Sequence, residues 1–592
     1  MQKIFLLLSF FCSLLVSSQN EQLAQNYYDK GEFEKAVLSY EELLKSQPGN
    51  SIYFQRVTDC YQQLLQFDKA EKTIQDRLTK FRMASMYVEL GYNYQLQKQQ
   101  AKAELNYKEA IEKIKENSSN VYSVASSFEQ KVLLEYALQA YQLAISIDPR
   151  NKFNYQMALL YGQMGKPELM IEKYLDEMYE NPQNSVIVQN QLTRFMNDDS
   201  DETFNPMLRK ALLIQVQKNQ SVFWNQMLSW FFVQQKEYGK AFVQEKAIYK
   251  REPDSFSNIV NLAELAIEEE EDVIAIEILN FILDNTQDVD LQIYAQQFLM
   301  AIQIKKAKEA DYTSIKNQFE SLLKQYGISP YTISLQRLQA EFVSFKMKNP
   351  EEGKAILQRA MELPLTKFQA AETKMELADI LLFEEKFNQA LLYYSQIQDD
   401  LKNDVLGHEA SLKVATTSYY KTDFAWALTQ LKVLKSASTQ LIANDALELF
   451  LLINDNTVSD STQTALKKFA KADFLLYQNK KQEALEHFQQ ILKEHKGDPI
   501  EEVTLLRLGK TYEELTDYDK ALSFYQQIID GFPESIYRDE ALFFSAEVYN
   551  KYLNQPEKAK PLYEAVLFNH QDSIYYVEAR KKFRQLRGDS NL

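Results

Sequence analysis

Glycine and proline are scarce. The 592 residues hold 13 of each, about 2% apiece against typical usage of about 7% and 5%. β-Sandwiches, barrels and doubly wound sheets need turn residues every few positions, so the shortage argues against all of them. It also excludes collagen-like and Pro/Gly-rich disordered chains. No two glycines lie four or five positions apart, which removes G-x-S-x-G and the Walker A loop, and no G-x-G pair offers a dinucleotide fingerprint. Histidine occurs four times, at His408, His487, His495 and His570, never in H-E-x-x-H. Glu486-His487 and Glu494-His495 are eight positions apart, about 80° apart in helical projection, which is poor geometry for one metal. No catalytic residue, metal site or cofactor is expected.

Positive charge is short as well. Sixty-six basic residues face 83 acidic ones, a net charge of -17, and such a chain is repelled by phosphate backbones, so no nucleic-acid partner is expected. Long apolar runs are missing apart from Ile4 to Val16, which is too short to span a bilayer. With the basic start Met1-Gln2-Lys3 and small residues at Val16 and Ser18, residues 1–18 read as a signal peptide. The mature protein is expected in the periplasm, without a transmembrane span. Cys12 follows Ser9-Phe10-Phe11, where a lipobox has small residues, so it does not fit a lipid anchor. Only Cys60 remains after cleavage, which leaves no internal disulfide. It reads as a small buried hydrophobe on a helix.

What is abundant is a repeat. A small residue followed three later by an aromatic occurs as Ala24/Tyr27, Gly91/Tyr94, Ala125/Phe128, Ala158/Tyr161, Gly509/Tyr512 and Ala546/Tyr549. About a dozen residues on comes another alanine, often with an aromatic four beyond: Ala36/Tyr40, Ala103/Tyr107, Ala137/Tyr141, Ala390/Tyr394, Ala521/Tyr525 and Ala559/Tyr563. Ala36, Ala70, Ala103 and Ala137 are spaced by 34, 33 and 34 residues. Two antiparallel helices account for the pattern: the small residue lets the second helix approach, and its aromatic fills the gap. Gly31 and Gly165 fall in the turn between paired helices, and Pro48, Pro149, Pro182, Pro253 and Pro533 fall after the second. One hairpin cannot bury both faces, so hairpins must stack.

The pattern resembles the tetratricopeptide repeat family. The best copies are Leu508-Gly509-x-x-Tyr512…Tyr518-x-x-Ala521-x-x-x-Tyr525…Pro533 and Ala24-x-x-Tyr27…Phe33-x-x-Ala36-x-x-x-Tyr40…Pro48. The resemblance implies an all-α, right-handed superhelical α-solenoid of about 14 to 16 helix hairpins. The expected organisation is a signal peptide over 1–18 and an N-terminal array over 19–196. A middle array with degenerate repeats covers 197–365, a C-terminal array of longer period 366–572, and a capping helix and tail 573–592. The longer period shows as 37 residues from Ala390 to Ala427 and from Ala484 to Ala521, and 38 from Ala521 to Ala559. Asn197–Pro206 and Asn454–Thr464 are candidate breaks or long loops. Ser535-Ile536-Tyr537-x-x-Glu540-Ala541 recurs at Ser573-Ile574-Tyr575-x-x-Glu578-Ala579, similar to a junction in exported repeat proteins of the bacterial cell envelope.

Such arrays bind extended or helical segments along the concave face lined by the first helices. Positions one after the small slot, or three before it, are expected to face that groove. They include Asp59, Tyr92, Tyr122, Tyr155 and Trp230, and aromatics with polar rims suit peptide recognition. Packing between repeats is the plainer role for the same aromatics. The Lys/Asn carboxylate clamp of chaperone-type repeats is absent, since those slots hold Gln55/Asp59, Val88/Tyr92 and Leu506/Lys510. Weaker motifs are the acidic run Glu268–Asp272, the acceptor-like Asp460-Ser461-Thr462 and Asp572-Ser573-Ile574, and Arg587-Gly588-Asp589.

The expectation is a non-catalytic protein-interaction scaffold of a Gram-negative envelope, binding protein or peptide partners, free or as part of a peripheral envelope complex. A peptidoglycan- or glycan-binding protein is the alternative and would call for clustered aromatics, whereas Trp224, Trp230 and Trp426 are dispersed. An enzyme with a segment hidden in 283–365 or 427–465 is the third reading.

Overall fold

A computed structural model describes residues 20–197, 203–219, 221–437, 439–458 and 462–588. The leader over 1–18, Cys12, Asp460, Ser461 and Asp589 lie outside the described residues. Among the described residues there is no strand, and helices follow one another as stacked antiparallel hairpins. The chain divides into two compact units, one ending at Trp224 and the other starting at Asn225. Within each, a helix packs on its successor and on the next helix but one, as stacking requires.

The small slot works as the spacing implies. A Cβ added to Gly91 would lie 2.3 Å from Cε1 of Tyr107, and one on Gly509 would lie 2.4 Å from Cε1 of Tyr525. The second-helix tyrosines 40, 107, 141, 394, 525 and 563 are all buried. A buried phenol needs a hydrogen-bond partner, and each finds one on the preceding first helix. The acceptors are Gln25 for Tyr40, Gln95 for Tyr107, Glu129 for Tyr141, Asp379 for Tyr394, Glu513 for Tyr525 and Glu547 for Tyr563.

Most of the described turns inside hairpins are marked by one residue of left-handed backbone. In the N-terminal unit these are Gly31, Leu65, Lys98, Val132 and Gly165; in the other they include Lys236, Glu270, Lys348, Glu385, Thr422, Asn479, Thr516 and Asn554. The amide after this residue donates back to the carbonyl five residues earlier, as in Glu32 to Tyr27, Gln66 to Tyr61, Gln99 to Tyr94, Leu133 to Phe128 and Asp517 to Tyr512, or six earlier after a π-turn, as in Asn349 to Val343 and Gln555 to Tyr549. That hydrogen bond closes the helix C-terminus, and in the first five its acceptor is the aromatic of the small/aromatic pair. The five prolines each lie two residues past the end of a second helix, at Ser46, Ile147, Glu180, Arg251 and Gly531.

The longer C-terminal period has a specific source. Second helices are 14 residues long at Phe33–Ser46, Leu134–Ile147, Phe387–Asp400 and Tyr518–Gly531 alike. First helices are 13, 12, 11 and 10 residues at Ser51–Gln63, Ser85–Leu96, Asn120–Gln130 and Asn154–Gln163. They reach 17, 16 and 15 at Lys367–Phe383, Val405–Tyr420 and Ile500–Glu514. The added turn therefore sits on the first helix. Ile333–Glu341 and Arg538–Glu547 are extended by π-helical turns, Phe342–Lys346 and Val548–Tyr552.

One helix is supernumerary. The left-handed residues Thr422 and Asn479 are 57 apart, against 37 for the hairpins on either side. The 19-residue helix Gln440–Val458 fills the difference. Val405–Tyr420 consequently packs on both Gln440–Val458 and Thr464–Tyr477.

Candidate functional site

Two of the sequence-predicted groove residues meet in the N-terminal unit. Asp59 and Tyr92, from consecutive first helices, converge on Lys131, which ends the next first helix. The Lys131 ammonium lies 3.5 Å from Asp59, 3.3 Å from Glu89 and 4.8 Å from the Tyr92 ring centroid. Asp59 also accepts from Gln55 at 3.0 Å, and Ser127 donates to Glu89 at 3.0 Å. Glu89 and Lys131 are both buried at their side chains. Burial pushes the Glu89 carboxyl up against the pull of Lys131. Lys131 thus serves both carboxylates.

The other three predicted residues are separate. Tyr122 is 64% exposed, with its ring edge on Phe153 at 5.6 Å. Tyr155 is half-buried against Tyr174 at 5.9 Å. Trp230 is half-buried and belongs to the second unit. Cys60 is buried, and burial pushes its thiol up to about 12, so it stays protonated and inert.

A cavity in the second unit was not singled out from the sequence. It measures about 1090 Å³, near the upper end of ligand pockets, roughly 300–1,000 Å³. Its floor is built by Ile333–Glu341, Lys367–Phe383 and Val405–Tyr420. Arg337 donates from Nε to Glu376 at 2.8 Å and from Nη1 to Glu372 at 2.5 Å. Lys413 lies 2.8 Å from Asp379, which also accepts from the buried Tyr394 at 2.5 Å. Glu341 and Glu409 also line the cavity, as do Lys346, Lys348 and Lys480 from the ends and turns of first helices, so its charges balance.

A turn distant in sequence closes this cavity. Gln478 donates to the carbonyl of Phe383 at 2.7 Å, and the Tyr477 hydroxyl to that of Asp379 at 3.4 Å. Phe474 packs on Phe387 at 5.2 Å and on Tyr420 at 5.1 Å. These contacts exist because the extra helix Gln440–Val458 lets Thr464–Tyr477 return to the hairpins before it. Burial, with Glu341 and Asp379 nearby and despite Arg337, pushes the Glu376 carboxyl up to about 7. Glu341 is likewise raised by burial and then by Asp379.

The offsets used in the N-terminal half would have found four of these residues. Ala378 lies seven before the left-handed Glu385, as Gly91 does before Lys98, and its groove positions are Met375 and Asp379. Ala340 lies eight before Lys348, because the π-turn Phe342–Lys346 inserts one residue, and its groove positions are Arg337 and Glu341. That insertion hid the motif inside the segment read as degenerate.

Among the described residues no group of three or more His, Cys, Asp and Glu side chains is placed to hold a metal ion, and no helix is long and apolar enough to cross a membrane. Residues 20–50 and 504–535 match tetratricopeptide repeat family models. Both segments match as tetratricopeptide repeats. They are the two copies whose motifs are most complete in the sequence. No curated protein matches the chain. Among solved structures, Naa15/Naa10 bound to HypK-THB is similar over 97% of both chains, at 12% identity and a TM-score of 0.29. The APC/C hetero-tetramer Cut9-Hcn1 is similar over 96% of both, at 12% identity and a TM-score of 0.23. Likenesses this loose carry no argument. The family models identify those two segments as tetratricopeptide repeats, and the helices between them stack as hairpins of the same kind.

Proposed function

We propose that this chain is a non-catalytic protein-interaction scaffold of a Gram-negative cell envelope. Its leader exports it to the periplasm, where it is soluble or peripherally attached to an envelope complex. It binds protein or peptide segments on the faces formed by its first helices. The observation that supports this most is the lining of those faces: groove slots in both units hold aromatic and ionic side chains, and in the second unit they wall a cavity large enough for several side chains. Binding there needs no bond chemistry, and stacked hairpins hold the slots at fixed spacing.

Site-specific crosslinking in envelope preparations tests it. A photo-reactive residue replacing Tyr122, exposed on a first helix, is expected to capture a discrete protein. The same residue at Leu38, exposed on a second helix, is expected to capture none. Retention on purified sacculi with no protein crosslinked would sink the scaffold and favour the glycan reading. A full-length chain that keeps its leader and stays in the cytoplasm would sink the export.

A further inference from the structure

We infer that the outer face of the last helix, Tyr576–Arg587, docks the end of the array on an anionic phospholipid surface. The motif at 535–541 recurs at 573–579, an offset of 38. Carried onward, the same offset sets Arg580, Lys581, Lys582, Arg584 and Arg587 against Leu542, Phe543, Phe544, Ala546 and Tyr549. In the earlier copy these are core positions. Leu542, Phe543 and Ala546 are buried in one cluster with Tyr563, Ala579 and Phe583 of the helices that follow, and Phe544 and Tyr549 pack against it. No described helix follows the last copy, and all five positions there hold cations. A terminal repeat needs a polar outer face for solubility, but solubility does not select one sign. The chain has more carboxylates than cations, yet Glu578 is the single carboxylate between 573 and 588.

The helix does not neutralise these cations itself. Arg584 and Arg587 stand in its last turn, where the helix dipole favours them. Arg580, Lys581 and Lys582 precede that turn, and none of the three forms an ion pair with a described carboxylate. Val577, Arg580, Lys581 and Arg584 follow the spacing i, i+3, i+4 and i+7, which is one face of a helix. Ala579 and Phe583 hold another face against the array. Val577 is 67% exposed, and Ile574, just before the helix, is 82% exposed. Cations beside protruding aliphatic side chains fit the interface of an anionic bilayer: the cations meet lipid phosphates, and Ile574 and Val577 reach the acyl boundary. The outer side of one helix is no groove for an acidic peptide. The net charge of -17 does not prevent the contact, because charges farther than about 8 Å from the surface are screened at physiological salt.

The test uses the full mature chain and sedimentation with vesicles, either pure phosphatidylcholine or phosphatidylcholine with about a third phosphatidylglycerol. The anionic vesicles are expected to bind at least about tenfold more tightly, and raising salt from about 0.05 to about 0.5 M is expected to remove the difference. Arg580→Gln with Lys581→Gln, both at exposed positions, is expected to reduce the preference about tenfold. Ile574→Ser with Val577→Ser is expected to weaken binding and keep its salt dependence. Equal binding to both vesicles, binding to neither, or a preference that the double cation variant retains overturns the membrane contact. Capture of poly-glutamate through Arg580 and Lys581, with no vesicle bound, overturns it in favour of an acidic protein segment. None of these outcomes bears on the crosslinking at Tyr122, so the scaffold reading stands or falls separately.

Discussion

The repeats near the N-terminus and those after Lys367 share one hairpin and differ in one helix. In both regions the second helix, 14 to 17 residues long, packs a buried tyrosine against the small slot in the best copies. The first helix grows from 10–13 residues to 14–17. The invariant part is fixed by packing, since a glycine with an aromatic ring against its Cα leaves no room for change. The variable part is the first helix, which in the second unit lines the cavity. Lengthening it adds exposed slots without disturbing the contact that holds a hairpin together. The two regions also differ in how charge is paired: one buried lysine, Lys131, serves Asp59 and Glu89 in one, while Arg337 and Lys413 pair separately with Glu372, Glu376 and Asp379 in the other.

The sharpest test of that difference is to remove a cation and an anion in turn. Lys131→Met strands the buried Glu89 and Asp59 and is expected to destabilise the N-terminal unit by about 3–5 kcal/mol. Hydrogen exchange in helices Ser85–Leu96 and Asn120–Gln130 reads this directly, and unchanged protection there would dissolve the contrast. Glu376→Gln should act in the opposite sense at high pH. The folded pKa of Glu376, about 7, lies above its ordinary value of 4.5. Its contribution is therefore fully present below about pH 4.5 and is lost as pH rises through about 7. The loss is on the order of 3 kcal/mol, with Arg337, Glu341, Glu372, Asp379, Lys413 and Glu409 facing it. Urea unfolding of the second unit at pH 5 and pH 8 should show this slope in the natural chain and a smaller one in the variant.

Two smaller effects test what the regions share. Gly91→Ala and Gly509→Ala each drive a methyl into a buried tyrosine ring. Overpacking of about 1–3 kcal/mol, eased by up to about 1 kcal/mol of helix propensity, predicts a net loss of about 1–2 kcal/mol in both. Thermal melts that separate the two variants would show that the hairpins are not packed alike. Val132→Gly is expected to stabilise by a few tenths to about 1 kcal/mol. Val132 is a β-branched residue at φ 58° with 75% of its surface exposed. Glycine relieves the left-handed strain and forfeits little packing. A drop in melting temperature would mean that the side chain packs in a way its exposure does not show.

Much of the fold was legible, and the reason is local. Tyr107 and Gly91 meet because they sit 16 residues apart across one turn, and every good copy repeats that geometry. The turns were only half legible. Gly31 and Gly165 mark two of them, whereas Leu65, Lys98 and Val132 adopt the same backbone with no glycine to announce it, because stacking on both sides overrides the local penalty. The groove was harder still. Asp59 and Tyr92 were found by counting from the small slot and do meet at Lys131, but Lys131 itself carries no motif. The acidic run Glu268–Asp272 is a hairpin turn as expected. Its partners are Lys236 in the preceding hairpin turn and Lys305 and Lys306 at the end of helix Val289–Lys306, which pattern alone does not pair.

By itself the sequence settled what short-range packing settles: helices in pairs, the slots at which they touch, and a period that lengthens toward the C-terminus. It also held the trace of an extra helix, since Ala427 and Ala484 are 57 residues apart where their neighbours are 37. What that helix does was decided only in three dimensions. Inserting one helix between paired hairpins brings Gln478 to the carbonyl of Phe383, 95 positions earlier, and so encloses the cavity over Glu376. A repeat pattern specifies contacts between neighbours. The closure joins elements almost three repeats apart, through a backbone carbonyl that any residue could have offered.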